Sequence, residues 1–478
     1  MKRKKYRELN LYSYYDHAGI ARHLEDMARQ GCQLEKTGNT FWTYRRCDPA
    51  ELHYAVVYFP KASQFDPEPP AEQREFWELC KATGWELVSS RYQMQIFCNP
   101  AKDPTPIETD PVVQVENVRA AMKRGLLLTS WLMLGCSILQ IGMQLHSNRL
   151  LRDLLISGSS MMMLLFWGLV AINSIIELTA YCRWRKKAQA AAREEGVLLS
   201  PRSRRGWNLF FFLTATLIAA ASLLSLVSYG SYGLYGASVA GIVLLYGVVL
   251  SLAVFGSRRL MKRLHFSAKA NLVGNITITV ITAFVLMFGT TRFAYHLVDN
   301  PVLLGHQNTE EWPAPNGGYT YTIYHDPLPL TVEDLTGETY PEGYSCYRDG
   351  CGTPLLMKYN FVQESRNDDP YLEYSVYKLG LKSLYEPVKN SFFKDAVFTI
   401  HGQIDFVIPH GWVAVDAAPW GALDAYQYHD DTDYPLDSYL LCYEDRIVEI
   451  SSDLWANTVP TAEQMRQIEA ALCADRFA

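Results

Sequence analysis

The chain has 478 residues, enough for three folded units, and its net charge of −6 hides three different balances. Met1 to Arg124 carries 18 Lys and Arg against 17 Asp and Glu, Gly125 to His296 carries 16 against 4, and Leu297 to Ala478 carries 10 against 29. The acidic last stretch is disfavoured as a non-specific binder of nucleic acid or anionic lipid heads and would attract cations or basic peptides, although a solvated surface that keeps an exported domain soluble explains it more plainly.

Residues 1–98 read as a cytoplasmic α+β domain containing its own repeat. Met1-Lys-Arg-Lys-Lys5 leads into polar and aromatic residues rather than an apolar run of roughly 7 to 15, so no cleavable signal peptide is expected and insertion would rely on the first spanning helix. Leu9 to Tyr15 alternates like a strand, Asp16 is placed to cap a helix carrying Ile20, Leu24 and Met27 on one face, and Gly31 stops it. Strands are expected at Cys32 to Glu35, Phe41 to Tyr44 and His53 to Phe59. A second helix begins at Pro70 and ends at Gly84, with Trp85 to Val88 and Tyr92 to Phe97 as further strands. Residues 99–124 read as a Pro-rich linker through Pro100, Pro104, Pro106 and Pro111.

Five apolar runs follow, at about Gly125–Leu145, Leu154–Tyr181, Trp207–Val227, Gly233–Phe255 and Leu272–Tyr295. Each reaches the roughly 20 residues that a helix needs to span about 30 Å of hydrocarbon. Basic residues cluster before the first run, between the second and third (Arg183 to Arg205) and between the fourth and fifth (Arg258 to Arg263). That places the amino terminus in the cytoplasm and the last 180 or so residues outside the cell membrane. The Ala188 to Ser203 link reads as a basic segment skimming anionic lipid heads. Lys123-Arg124-Gly125 and Arg204-Arg205-Gly206 open two similar hairpins, so the five-helix core looks like a duplicated two-helix unit plus one helix. Asn173, Glu177 and Asn275 could share one inner-leaflet cluster, either as a site or as polar glue between helices. Arg292, near the outer end of the fifth helix, is expected to be too far from Glu177 to pair with it.

Residues 297–478 read as a second, acidic α+β domain. Strands are expected at Tyr319 to His325, Leu355 to Phe361, Leu372 to Tyr377, Ala396 to His401, Trp412 to Val415, Ala425 to Tyr428, Ser438 to Tyr443 and Arg446 to Ile450. Helices fit Leu384 to Phe393 and Thr461 to Cys473, the latter with Thr461 and Gln464 spaced as a capping box. Cys346 with Cys351, and Cys442 with Cys473, could form disulfides in an oxidising compartment or remain buried or free thiols. Asp430 to Asp433 with Asp437 could hold calcium, but lacks the Gly and terminal Glu of an EF-hand loop and reads more simply as a solvated turn. No phosphate-binding Gly-rich loop with Lys, no HExxH pair and no zinc-type Cys spacing occurs. Gly236-Ala-Ser238-Val-Ala240 has the spacing of a nucleophile elbow but lies inside an apolar helix.

Several of these residues carry a resemblance. Lys4 to Arg7 with Leu11 to Asp16, Leu24 to Met27 leading to Gly31 and Leu34, Tyr54, Val56, Tyr58 and Phe59, and Gly84 to Leu87 before Gln95 to Phe97 resemble the DUF2812 family, membrane proteins of Firmicutes whose defining amino-terminal domain has no established activity. Asp326 to Leu335, Ser438 to Tyr443 and Arg446 to Ile450 look like the extracytoplasmic part of its longer members. The family pattern often has Trp after the first Gly, where this chain has Cys32. The resemblance implies architecture rather than a reaction, and the frequent encoding of such proteins beside PadR-type repressors implies regulation.

The expectation is a multi-pass, non-enzymatic membrane regulator or sensor that couples an extracytoplasmic domain to a cytoplasmic protein partner, a PadR-type regulator or its pathway. It would contact membrane lipids, bind no nucleic acid directly and need no cofactor or metal. The alternative is a transporter or transporter accessory subunit, motivated by the duplicated hairpins and the Asn173, Glu177, Asn275 group.

Overall fold

The computed structural model describes residues 5–38, 40–147, 151–227, 233–298, 308–313, 320–339, 344–365, 370–393, 397–400, 403–407, 411–430, 434–455 and 458–473. Two compact units result: Met1–Ile141, Leu165–Ala219 and Leu245–Phe288 form the first, and Gly142–Leu164, Ala220–Leu244 and Gly289–Ala478 the second.

The first unit begins with one strand-helix-strand-strand module used twice. The first copy is β1 (Lys5–Leu9), α1 (His17–Arg29), β2 (Cys32–Lys36) and β3 (Phe41–Arg46); the second is β4 (His53–Tyr58), α2 (Ala71–Ala82), β5 (Glu86–Arg91) and β6 (Met94–Asn99). In each copy the last strand lies in the centre, antiparallel to both neighbours, giving the orders β1-β3-β2 and β4-β6-β5. Local chemistry repeats as well. Each helix is followed by a left-handed glycine, Gly31 at φ 76° and Gly84 at φ 86°, a conformation that costs glycine nothing because it has no Cβ. Each next strand then carries a register shift, between Leu34 and Lys36 and between Leu87 and Ser89. Asp16 caps α1 by accepting from the Gly19 N–H.

The alternating Leu9 to Tyr15 segment is not a strand, because ladder pairing ends at Leu9. Its aromatic side chains serve separate contacts that no period of two would allow. Tyr12 stacks 6.2 Å from Trp42, the Tyr14 hydroxyl accepts from the Met94 N–H, and Tyr15 packs 5.4 Å from Trp184.

Next come α3 (Pro111–Arg124), α4 (Leu126–Ser147), α5 (Leu151–Ile156), α6 (Gly158–Glu194), α7 (Arg205–Val227), α8 (Gly233–Arg263) and α9 (Ala268–Val298). Among the described residues five stretches are long and apolar enough to cross a membrane: Pro111–His146, Gly158–Glu194, Arg205–Leu224, Ser238–Arg263 and Ala268–Phe293. The division between the two units falls within these five helical stretches.

Two expected connections turn out to be core. The second half of the Pro-rich linker is α3, started by Asp110, whose carboxylate accepts from the Val112 and Val113 N–H groups. It places Val115, Val118, Ala121 and Met122 in the same hydrophobic cluster as Ile20 and Leu24 of α1, Trp42 and Tyr44 of β3, and Val56 and Ile96 of the second sheet. The first half of the basic link expected to skim the membrane is the end of α6, and Tyr181, Trp184, Ala188 and Ala192 join that cluster. At about 1.5 Å per residue, the 37 residues of α6 run about 55 Å, well beyond a bilayer's hydrocarbon. Apolar residues beyond the span need another apolar surface, and the repeated module supplies it. On the far face of the second sheet, Cys80 of α2 packs against Val57, Trp85 and Phe97.

The second unit is built on a seven-stranded antiparallel sheet. Its strands are β9 (Tyr344–Gly352), β10 (Leu356–Ser365), β11 (Leu372–Leu379), β14 (Trp412–Val415), β15 (Asp424–His429), β16 (Pro435–Cys442) and β17 (Arg446–Ser451), in the order β14-β15-β16-β17-β11-β10-β9. Two small hairpins accompany it, β7 (Thr309–Pro313) with β8 (Thr320–Tyr324) and β12 (Val397–Ile400) with β13 (Gln403–Val407). Strand alternation sorts the two faces. Tyr374, Val376, Tyr439 and Leu441 meet α10 (Val332–Thr336) and α12 (Ala462–Cys473) through Val332, Leu335, Ile468 and Leu472. On the other face Tyr377, Leu440 and Cys442 meet Val388 and Phe392 of α11 (Tyr385–Phe392) and Leu155 of α5. The expected capping box of α12 is present: Thr461 and Gln464 exchange backbone and side-chain hydrogen bonds.

Candidate functional site

In the first unit a cavity of about 490 Å³ is lined by both the repeated module and the membrane-length helices. Asn10, Tyr12, Ser13, Tyr14, Trp42 and Arg91 contribute from the module; Leu126, Ser130 and Met133 of α4, Val170, Asn173 and Glu177 of α6, and Asn208 and Phe211 of α7 contribute from the helices. The polar groups are largely committed to one another. Arg204 donates to Glu177 at 3.3 Å and to the Ile176 carbonyl at 3.0 Å, and the Trp207 indole donates to Asn173 at 2.9 Å. Arg205 stands 4.8 Å over the Tyr12 ring and 3.4 Å from Glu8, whose other oxygen is 2.8 Å from His23.

Each copy of the module is fastened by the same device. Asn208, the fourth residue of α7, donates its amide to the Leu11 carbonyl at 2.8 Å; Asn271, the fourth residue of α9, donates to the Phe65 carbonyl at 2.8 Å. Leu11 and Phe65 occupy equivalent connections, from the first strand of each copy to its helix. Arg258, donating to Gln64 at 2.9 Å, and His265, 3.6 Å from Glu68, reinforce the second contact. An amide bonded to a main-chain carbonyl fixes position without asking for a particular partner side chain, so the anchors have no signature in sequence. Arg204 and Arg205 were legible as part of a basic collar and as the opening of a repeated hairpin, not as partners of Glu177 and Tyr12.

The expected intramembrane cluster is only partly assembled. Asn173 and Glu177 line the same cavity. Asn275 instead donates to the Val254 carbonyl at 2.9 Å and to Ser257 at 2.7 Å, both on α8. Its amide is spent between α9 and α8, so the three side chains do not form a single polar group.

Burial shifts several groups of the module. The Tyr12 and Tyr14 hydroxyls are each pushed up to about 12, chiefly by desolvation. Burial also raises Asp16, against the Gly19 hydrogen bond that lowers it, and holds His17 below its usual value. A second cavity of about 380 Å³, lined by His17, Glu25, His53, Trp85 and Glu108, lies elsewhere on the module. Burial raises the Glu108 carboxyl, which accepts from Asn117.

The two possible disulfides are not formed, and all four cysteines are free thiols. Cys346 and Cys351 lie in one strand, β9, opposite Gln363 and Lys358 of β10. Five residues of extended chain separate them by about 16 Å, whereas a disulfide needs Cα atoms within about 7 Å. Cys442 packs on the α11 face of the sheet, whereas Cys473 belongs to the cluster on the α12 face. Of the acidic run, Asp430 accepts from the Tyr434 N–H, while Asp431 to Asp433 lie outside the described residues. Among the described residues no three His, Cys, Asp or Glu side chains converge as metal ligands. Gly236 to Ala240 is helical, without the turn that exposes a nucleophile.

Residues 18–131 match the model of the family DUF2812, described as a protein of unknown function. The matched stretch holds α1, both sheets from β2 onward, α3 and the start of α4. No curated protein and no solved structure matches the chain. The chain is therefore a DUF2812 domain-containing protein.

Proposed function

We propose that this DUF2812 domain-containing chain is a non-enzymatic membrane regulator, with the repeated module in the cytoplasm, the acidic domain outside, and a cytosolic protein as partner of the module. The basic collar between α6 and α7 and between α8 and α9 supports that orientation.

The observation that carries the reading is α6. It ends in the core of the module, where Trp184 and Ala188 are buried. It begins two residues after α5, whose Leu155 is buried against the acidic domain and accepts from Thr353 at 2.7 Å; Arg152 of α5 lies 4.3 Å over the Phe392 ring. Chain continuity thus joins a segment packed on the acidic domain, α5, to one packed in the module, the end of α6, and that continuity favours transmission over a slack tether. A signal would act by binding one arrangement better than the other. The hydrogen bonds of Asn173 to Trp207, Glu177 to Arg204 and Asn275 to Ser257 give the transporter alternative less support, since each polar group already has a local protein partner.

The test is crosslinking and recovery of cytosolic partners from membranes, comparing the full chain with one truncated after Val298. A specific partner whose recovery changes with truncation is the expected result. A partner set made only of permease subunits, or recovery indifferent to the outer domain, would remove the proposal.

A further inference from the structure

We infer that the 490 Å³ cavity of the first unit holds a phospholipid of the inner leaflet, its phosphate diester among the polar groups of the module and the start of an acyl chain along the helices. The inference rests on the orientation proposed above. It does not require that the chain signal.

Three features point to an amphiphile. The first is the division of the lining: Leu126, Met133, Val170 and Phe211 come from membrane-length stretches, whereas Tyr12, Ser13, Trp42 and Arg91 come from the soluble module. Water satisfies the second wall and hydrocarbon the first; only a molecule with both characters suits the whole space. The second feature is Trp42. Its side chain is 2% exposed and lines the cavity, yet its indole N–H has no hydrogen-bond partner among the described residues. A buried donor left unsatisfied is costly, and an indole can only donate, so a ligand that brings an acceptor to it is favoured over one that does not. The third is charge. Glu177, the carboxylate in the lining, is matched by Arg204 at 3.3 Å, and Arg91 adds a guanidinium to the same wall. An anionic acceptor therefore meets donors without facing an unmatched carboxylate. Tyr12, stacked on Trp42 and capped by Arg205 at 4.8 Å, fixes the indole plane.

Phosphate chemistry could come from a lipid or from a soluble anion, and the apolar wall favours the lipid. The full-length protein, purified in detergent and stripped of lipid, would be titrated with dioleoylphosphatidylglycerol, with dioleoylglycerol, which lacks the phosphate, and with inorganic phosphate, and read by native mass spectrometry. One equivalent of the phospholipid should bind, with the other two probes at least tenfold weaker. Trp42→Phe keeps the ring and removes the donor, and should weaken phospholipid binding about tenfold, the effect of one charge-assisted hydrogen bond. Met133→Trp fills the apolar wall without touching the donors, provides a second route if Trp42→Phe fails to fold, and should weaken binding by a similar factor. Equal binding of dioleoylglycerol, tight binding of inorganic phosphate, or affinity unchanged in folded variants would each overturn the assignment. Lipid binding that survives alongside lost coupling between domains would sink the proposed function alone.

Discussion

Glu177 and Arg204 lie 3.3 Å apart with side chains only 12% and 18% exposed. Neither charge has much water to fall back on, so deleting one partner leaves the other stranded. Arg204→Gln should cost about 2 to 4 kcal/mol of stability in thermal unfolding of the solubilised chain, while the double change with Glu177→Gln should recover most of it. Simple addition of the two single losses would show that the pair is not an energetic unit. His17 gives a pH dependence of definite sign. Its folded value lies below 6.5 because it is buried, so as pH falls below 6.5 the unfolded chain takes up a proton that the folded chain refuses until the lower folded value is reached. Stability of the module should therefore decline as pH drops below about 6.5, and His17→Gln should flatten the decline. At the same scale, Cys346, Cys351, Cys442 and Cys473 should all react with a thiol reagent after denaturation without reductant; a mass two or four protons lighter, with sulfurs unlabelled, would mean that bridges form.

At the scale of elements, the two left-handed glycines allow a paired comparison. Both φ values disfavour a side chain by roughly 1 to 2 kcal/mol. A Cβ on Gly31 would in addition come within 2.7 Å of the Cys47 carbonyl oxygen, whereas one on Gly84 would come no closer than 3.2 Å to the Asn99 side-chain amide. Gly31→Ala should therefore be the more damaging of the two by chemical denaturation of the full chain, and the reverse order would contradict the packing around β2. These glycines were legible in sequence, as were the helix-stop, capping and alternating patterns around them, because each is local. The segments read wrongly fail for one common reason, that distant residues decide them. Pro residues before Glu116 read as linker, yet only the apolar surface of α1 and the sheets makes Val115 and Val118 core. Tyr12, Tyr14 and Tyr15 alternate with nothing that pairs, and the choice between a disulfide and free thiols at Cys346 and Cys351 stayed open because nothing in Tyr344 to Gly352 announces β10 as its neighbour.

Across the whole molecule, duplication recurs at two levels. The module is doubled, and each copy is anchored by an asparagine at the same position of an incoming helix, Asn208 to Leu11 and Asn271 to Phe65. The sequence shows repeated basic hairpins and a repeated module but gives no sign that one is matched to the other, since the match runs through main-chain carbonyls. Of the candidate site, Asn173 and Glu177 were visible as polar residues in apolar runs; Trp42, Arg91 and Asn208 were not, because only folding brings them to the same cavity. The central claim is that the module and the helix ends share one core. Hydrogen–deuterium exchange of the full chain in lipid nanodiscs tests it directly, through the amides of Val115 to Met122 in α3 and Trp184 to Ala192 in α6. Slow exchange there, comparable with the central strand β6, is the predicted result; exchange at the rate of an unstructured linker would contradict the account.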